Sequence, residues 1–164
     1  MAKKTAYAGA MLALAMIFSY VESLVPLPAP VPGLKLGLAN LVVLFLLYRD
    51  GPGLAISVNL VRICLTGLLF GNLQSVLFSL CGGLLSFAVM LAARRIRFLG
   101  TAGVSLCGGT AHMIGQLLAA AVFLRSGGLL YYTPFLLASG AVSGFLIGLL
   151  AQILLSRMEG WRPY

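Results

Sequence analysis

Acidic residues are almost missing from this chain. It has three in 164 residues, Glu22, Asp50 and Glu159, against 11 lysines and arginines. No paired carboxylates are available for acid–base work or for holding a metal-bound phosphate. Histidine occurs once, and the three cysteines, Cys64, Cys81 and Cys107, sit inside apolar runs without a CxxC spacing. That excludes a disulfide framework and a zinc site as expectations. There is no glycine loop ending in GK[ST] and no serine or cysteine with a plausible base, so neither nucleotide hydrolysis nor nucleophilic catalysis is indicated. The expectation is a protein that is not an enzyme and carries no cofactor or metal. Charged residues of all kinds amount to 9%, where a soluble domain carries about a quarter.

What the chain has instead is apolar length. Hydrophobic residues make up 61% and the mean hydropathy is +1.07, the composition of an integral membrane protein. Six apolar spans can be marked: Ala6–Val25, Leu36–Tyr48, Gly53–Phe70, Leu73–Ala93, Gly103–Leu124 and Thr133–Ser156. The breaks between them carry turn or charge signals, RDGPG at 49–53, FGN at 70–72, RRIRFLG at 94–100 and RSGG at 125–128. The expected fold is an all-α bundle of six transmembrane helices forming one membrane domain over 1–164. A proline-rich outer loop, with prolines at 26, 28, 30 and 32, joins the first two helices. The second span is short, about 20 Å at 1.5 Å per residue against a hydrocarbon core of about 30 Å. Non-helical backbone is expected to supply the rest of that crossing, where protein buries it or a cavity receives it.

The net charge of +8 would suggest nucleic acid in a soluble protein. Here the basic residues flank apolar runs, so no nucleic-acid partner is expected, and membrane lipid is. With the N-terminus inside, Lys3, Lys4, Arg49, Arg94, Arg95, Arg97, Arg157 and Arg162 face the cytoplasm, and only Lys35 and Arg125 lie in outer loops. The positive-inside rule favours this multi-pass orientation with both termini cytoplasmic.

Polar side chains within spans are costly and mark functional positions by default. Asn59 and Arg62 stand three apart on the third span, and His112 and Gln116 four apart on the fifth, so each pair shares a helix face. Glu22, Lys35 and Asn40 lie at the outer end near the proline segment. These seven residues are the candidate binding set, expected to converge on a pocket in the outer half under a lid formed by the loop. A guanidinium with a nearby ammonium suits a small anion such as a carboxylate or phosphate. The alternatives are that Arg62 pairs with Glu22 or snorkels outward along its stem, that His112 is a packing residue, and that Asn72 and Gln74 are solvated. Two stripes of small residues, Ala2, Ala6 and Ala10 on the first span and Gly140, Gly144 and Gly148 on the last, can pack helices backbone to backbone. One of them can serve a partner, and Ala6 with Ala10 is the candidate docking face.

The stretch ESLVPLPAPVPGLKLGLAN, Glu22 to Asn40, with six short spans and an N-terminal AxxxA face, resembles small bacterial membrane proteins. They are called Gx transporter or heptaprenyl diphosphate synthase component I, and are similar to the substrate-binding S components of energy-coupling factor (ECF) transporters. The resemblance covers essentially the whole chain. It implies a plasma-membrane subunit of an importer that captures a small molecule from outside under its first loop. Its first helix would couple it to a transmembrane scaffold and two ATPases on other chains. Prenyl synthases hold magnesium diphosphate with DDxxD motifs, which a chain with one aspartate lacks. The alternative is therefore a non-catalytic membrane subunit or anchor for a polyprenyl (heptaprenyl) diphosphate synthase.

Overall fold

The computed structural model describes residues 2–24, 37–124, 131 and 133–158, all of them helix or short connection. The helices are α1 (Ala2–Leu24), α2 (Leu38–Arg49), α3 (Pro52–Phe70), α4 (Leu73–Ala93), α5 (Gly100–Leu124) and α6 (Thr133–Arg157). A 3-10 turn, Arg97–Leu99, precedes α5. Each begins and ends within about four residues of the breaks read from the sequence. Five of the six, all but α2, are long and apolar enough to cross a membrane. The sixth is not: its 12 residues span about 18 Å.

Packing explains how so short a helix is tolerated. Ala39 and every residue from Leu41 to Leu47 are buried, so α2 has no lipid-facing side. It sits among α1, α3 and α6, and a helix that is apolar all round belongs inside a bundle. Leu44, Leu46 and Leu47 are among the largest fully buried side chains. Gly37 precedes α2 with φ 83, a left-handed conformation that glycine adopts without steric cost. The proline segment at 26–36, where non-helical backbone was expected at membrane depth, lies outside the described residues.

Local signals set the other helix ends. Gly51, at φ 100, turns the chain into Pro52 at the first position of α3, where a missing N–H costs nothing. Asn72 caps α4, its side chain accepting from Ser75 N at 2.8 Å, and it is exposed, as expected of a solvated residue. At the other end of α4, Arg94 donates to Leu47 O at 2.7 Å and lies over the Tyr48 ring. Arg49 likewise donates to Met158 O, and Tyr7 donates to Asp50. These three bonds tie the start of α1, the α2–α3 turn, the end of α4 and the end of α6 together at one end of the bundle. It is the end that carries Lys3, Lys4, Arg49, Arg94, Arg95, Arg97 and Arg157.

The two small-residue stripes have different fates. Gly140, Gly144 and Gly148 are buried against α5. A Cβ added at Gly144 would lie 2.6 Å from Ser105 O, and one at Gly109 would lie 2.3 Å from Gly140 O, so α5 and α6 touch backbone to backbone. Ala2, Ala6, Ala10 and Ala13 are exposed, and a Cβ on Gly9 would meet nothing within 4 Å.

Candidate functional site

Four polar side chains inside the bundle, one of them the lone histidine, stand at similar heights. Counting 1.5 Å per residue up from the Tyr7–Asp50 contact and the adjoining turns, Ser19, Glu22, Arg62 and His112 all stand about 15–22 Å above the basic end. The level is built from several helices. Ser19 and Glu22 share the inner face of α1, three residues apart, and both are buried. Glu22 receives N–H donors from Gly37 and, at 2.9 Å, from Leu38. Its carboxylate thus sits on the positive end of the α2 dipole and satisfies two of the donors that a helix start leaves open.

Arg62, on α3, is 8% exposed. It donates to Asn59 Oδ1 at 2.7 Å and to Ser19 Oγ at 3.2 Å. Its Nε has no partner among the described residues. A buried donor left open in this way costs about 1–3 kcal/mol. Arg62, Asn59 and Ser19 therefore form a hydrogen-bonded group between α1 and α3, and Glu22, one turn beyond Ser19 on α1, holds the start of α2.

A second group lies on the far side of α4. A Cβ on Gly83 would approach Asn59 Nδ2 at 3.4 Å, while one on its neighbour Gly82 would approach Gln116 Cγ at 2.9 Å and His112 Cε1 at 3.0 Å. The Gly82–Gly83 pair lets both groups close on α4 from different sides. Here a cleft opens between the start of α2 and helices α4, α5 and α6, lined by Gly37, Asn40, Ser86, Ser105, His112 and Ser143 among others. Its volume is about 30 Å3, room for one or two waters. Among the described residues, its wall includes no lysine, arginine, aspartate or glutamate.

The expected single pocket is thus divided. Asn40 and His112 do meet at the cleft, and Gln116 packs beside His112. Arg62 and Asn59 do not line it, because the Gly82–Gly83 segment of α4 stands between. Glu22 is occupied with the α2 backbone, and Lys35 lies outside the described residues. Sequence reasoning missed Ser19, Gly37, Ser86, Ser105 and Ser143. Ser19 carried a usable signal, standing one turn before Glu22 on the same face; isolated serines in apolar runs gave none. No cluster of three metal-ligating side chains occurs among the described residues.

No curated protein and no solved structure gives a significant match to this sequence. One family model does, over residues 11–154, taking in all but the first turns of α1 and the end of α6. It describes heptaprenyl diphosphate synthase component I, and the chain, a helical membrane protein by its spans, belongs to that family.

Proposed function

We propose that this chain is the non-catalytic membrane subunit of a polyprenyl (heptaprenyl) diphosphate synthase system, with prenyl transfer carried out by a partner chain. The observation that carries this reading is the family match over most of the chain. The acids fit it. Joining prenyl diphosphates calls for clustered carboxylates around magnesium diphosphate, while Glu22 is committed to the start of α2 and Asp50 to Tyr7. What remains for this chain is to hold, position or receive. The test is to purify the tagged chain from membranes together with the synthase and assay prenyl transfer. A complex is expected, with activity that tracks the partner and survives Asp50→Asn. Prenyl transfer by the purified chain alone would overturn the assignment.

A second reading is favoured by a separate observation, the polar level away from the basic end with an open Arg62 donor. In this reading the chain is a substrate-binding subunit of an ECF-type importer in the bacterial plasma membrane, with both termini cytoplasmic. A small anion entering from the outer side would engage Arg62, Asn59 and Lys35, with Asn40, His112 and Gln116 at the cleft and Glu22 positioning the first loop. Ala6 and Ala10 would dock a membrane scaffold driven by ATPases. Mass spectrometry of the molecule that co-purifies decides it: a small polar anion whose binding falls on Arg62→Ala supports import, and its absence supports the synthase role alone.

A further inference from the structure

We propose that the turn joining α4 to α5 docks on anionic phospholipid headgroups, an interaction independent of either reading above. The segment Arg94–Gly100 alternates cations with apolar side chains. Arg94 is turned inward onto Leu47 O and the Tyr48 ring. Arg95 and Arg97 are exposed, and their side chains make no hydrogen bond or ion pair among the described residues. Between and beyond them Ile96 is 53% and Phe98 97% exposed. A phenylalanine almost wholly uncovered on a turn is unfavourable in water and is better placed at a lipid boundary.

Depth places the turn there. The 21 residues of α4 rise about 31 Å, matching a hydrocarbon core of about 30 Å. The residues directly after Ala93 therefore fall at the headgroup layer. In that layer an aromatic ring finds the acyl boundary while neighbouring guanidiniums find phosphates, and each basic residue near an anionic leaflet adds favourable attraction. A soluble protein fits less well: a stable interface needs about 20–30 residues a side, and this turn offers two apolar side chains and two free cations. The 3-10 turn at Arg97–Leu99, entered through an extended Ile96, holds these side chains off the helix axes.

The test uses the full chain with Phe98→Trp and Trp161→Phe, so that the introduced indole is the only tryptophan, reconstituted in phosphatidylcholine vesicles with and without phosphatidylglycerol. Lipids brominated on the acyl chain near the carbonyl should quench it. Quenching by brominated phosphatidylglycerol should exceed that by brominated phosphatidylcholine, the preference falling by roughly fivefold per arginine in Arg95→Gln and Arg97→Gln. Both arginines are exposed, so helicity and elution volume should match the parent and confirm the fold. An indole that neither lipid quenches would overturn the proposal, including the case in which only an added soluble protein shields it. So would a lipid preference that survives loss of both arginines.

Discussion

At the scale of single residues, Glu22 separates structural work from binding work. It holds two backbone donors at the start of α2, so Glu22→Ala should destabilise the protein by about 1.5–3 kcal/mol, the range for hydrogen bonds to a charged group. Glu22→Gln keeps an acceptor oxygen in place and should lose less; thermal melting in detergent reads the difference. Equal losses in the two variants would show that the charge, not the acceptor, is what matters. Arg62 poses the converse question, since Asn59 and Ser19 already bind it. If its role is to hold α1 to α3, Arg62→Ala lowers the melting temperature and leaves ligand binding per folded molecule unchanged. If it also serves a ligand, binding falls in the fraction that remains folded. The sequence marked Arg62 and Asn59 as partners because they lie three apart on one helix. It did not reveal that Ser19 completes the group or that Gly82–Gly83 partitions Arg62 from His112, because those depend on which helices become neighbours.

At the scale of helices, glycine decides which faces close. Gly109 has no room for a methyl group, its Cβ falling 2.3 Å from the Gly140 carbonyl. That neighbour is backbone and cannot swing away, so Gly109→Ala should cost about 1–3 kcal/mol. Gly9→Ala meets open space and should stabilise α1 slightly, by up to about 1 kcal/mol. Melting curves of the pair test the backbone contact directly, and equal shifts would refute it. The exposed stripe leads to a different expectation. Ala6→Leu with Ala10→Leu should leave the fold intact, because both sites are outward-facing, and should weaken assembly only if a membrane partner uses that face; co-purification with the candidate partners reads this. Both stripes were legible in the sequence as four-residue repeats. Which one faced inward was not, since spacing places residues on a face without saying what the face meets. The short α2 was legible in the same partial way: its length was plain, and its central burial followed only from the helices around it.

At the scale of the whole molecule, Arg49, Arg94 and the Tyr7–Asp50 contact gather the start of α1, the end of α6 and two turns at one basic end, with Glu22, Arg62 and His112 displaced toward the other. The flanking charges place that basic end on the cytoplasmic side as an expectation, because lysine and arginine around apolar runs bias topology. A cysteine placed at position 29 in a variant lacking Cys64, Cys81 and Cys107 should react with an impermeant thiol reagent added outside cells. Labelling only after the cytoplasmic face is opened would reverse the orientation. The central claim is that this chain is a membrane component that leaves prenyl transfer to another chain, and its most direct test is reconstitution. The purified chain and the purified synthase are assayed separately and together in vesicles for prenyl transfer and for association. The account predicts no turnover by this chain alone, and a complex in which the synthase becomes membrane-bound and active. A synthase that stays soluble with unchanged activity, while an ATPase-linked membrane complex binds this chain instead, would contradict it.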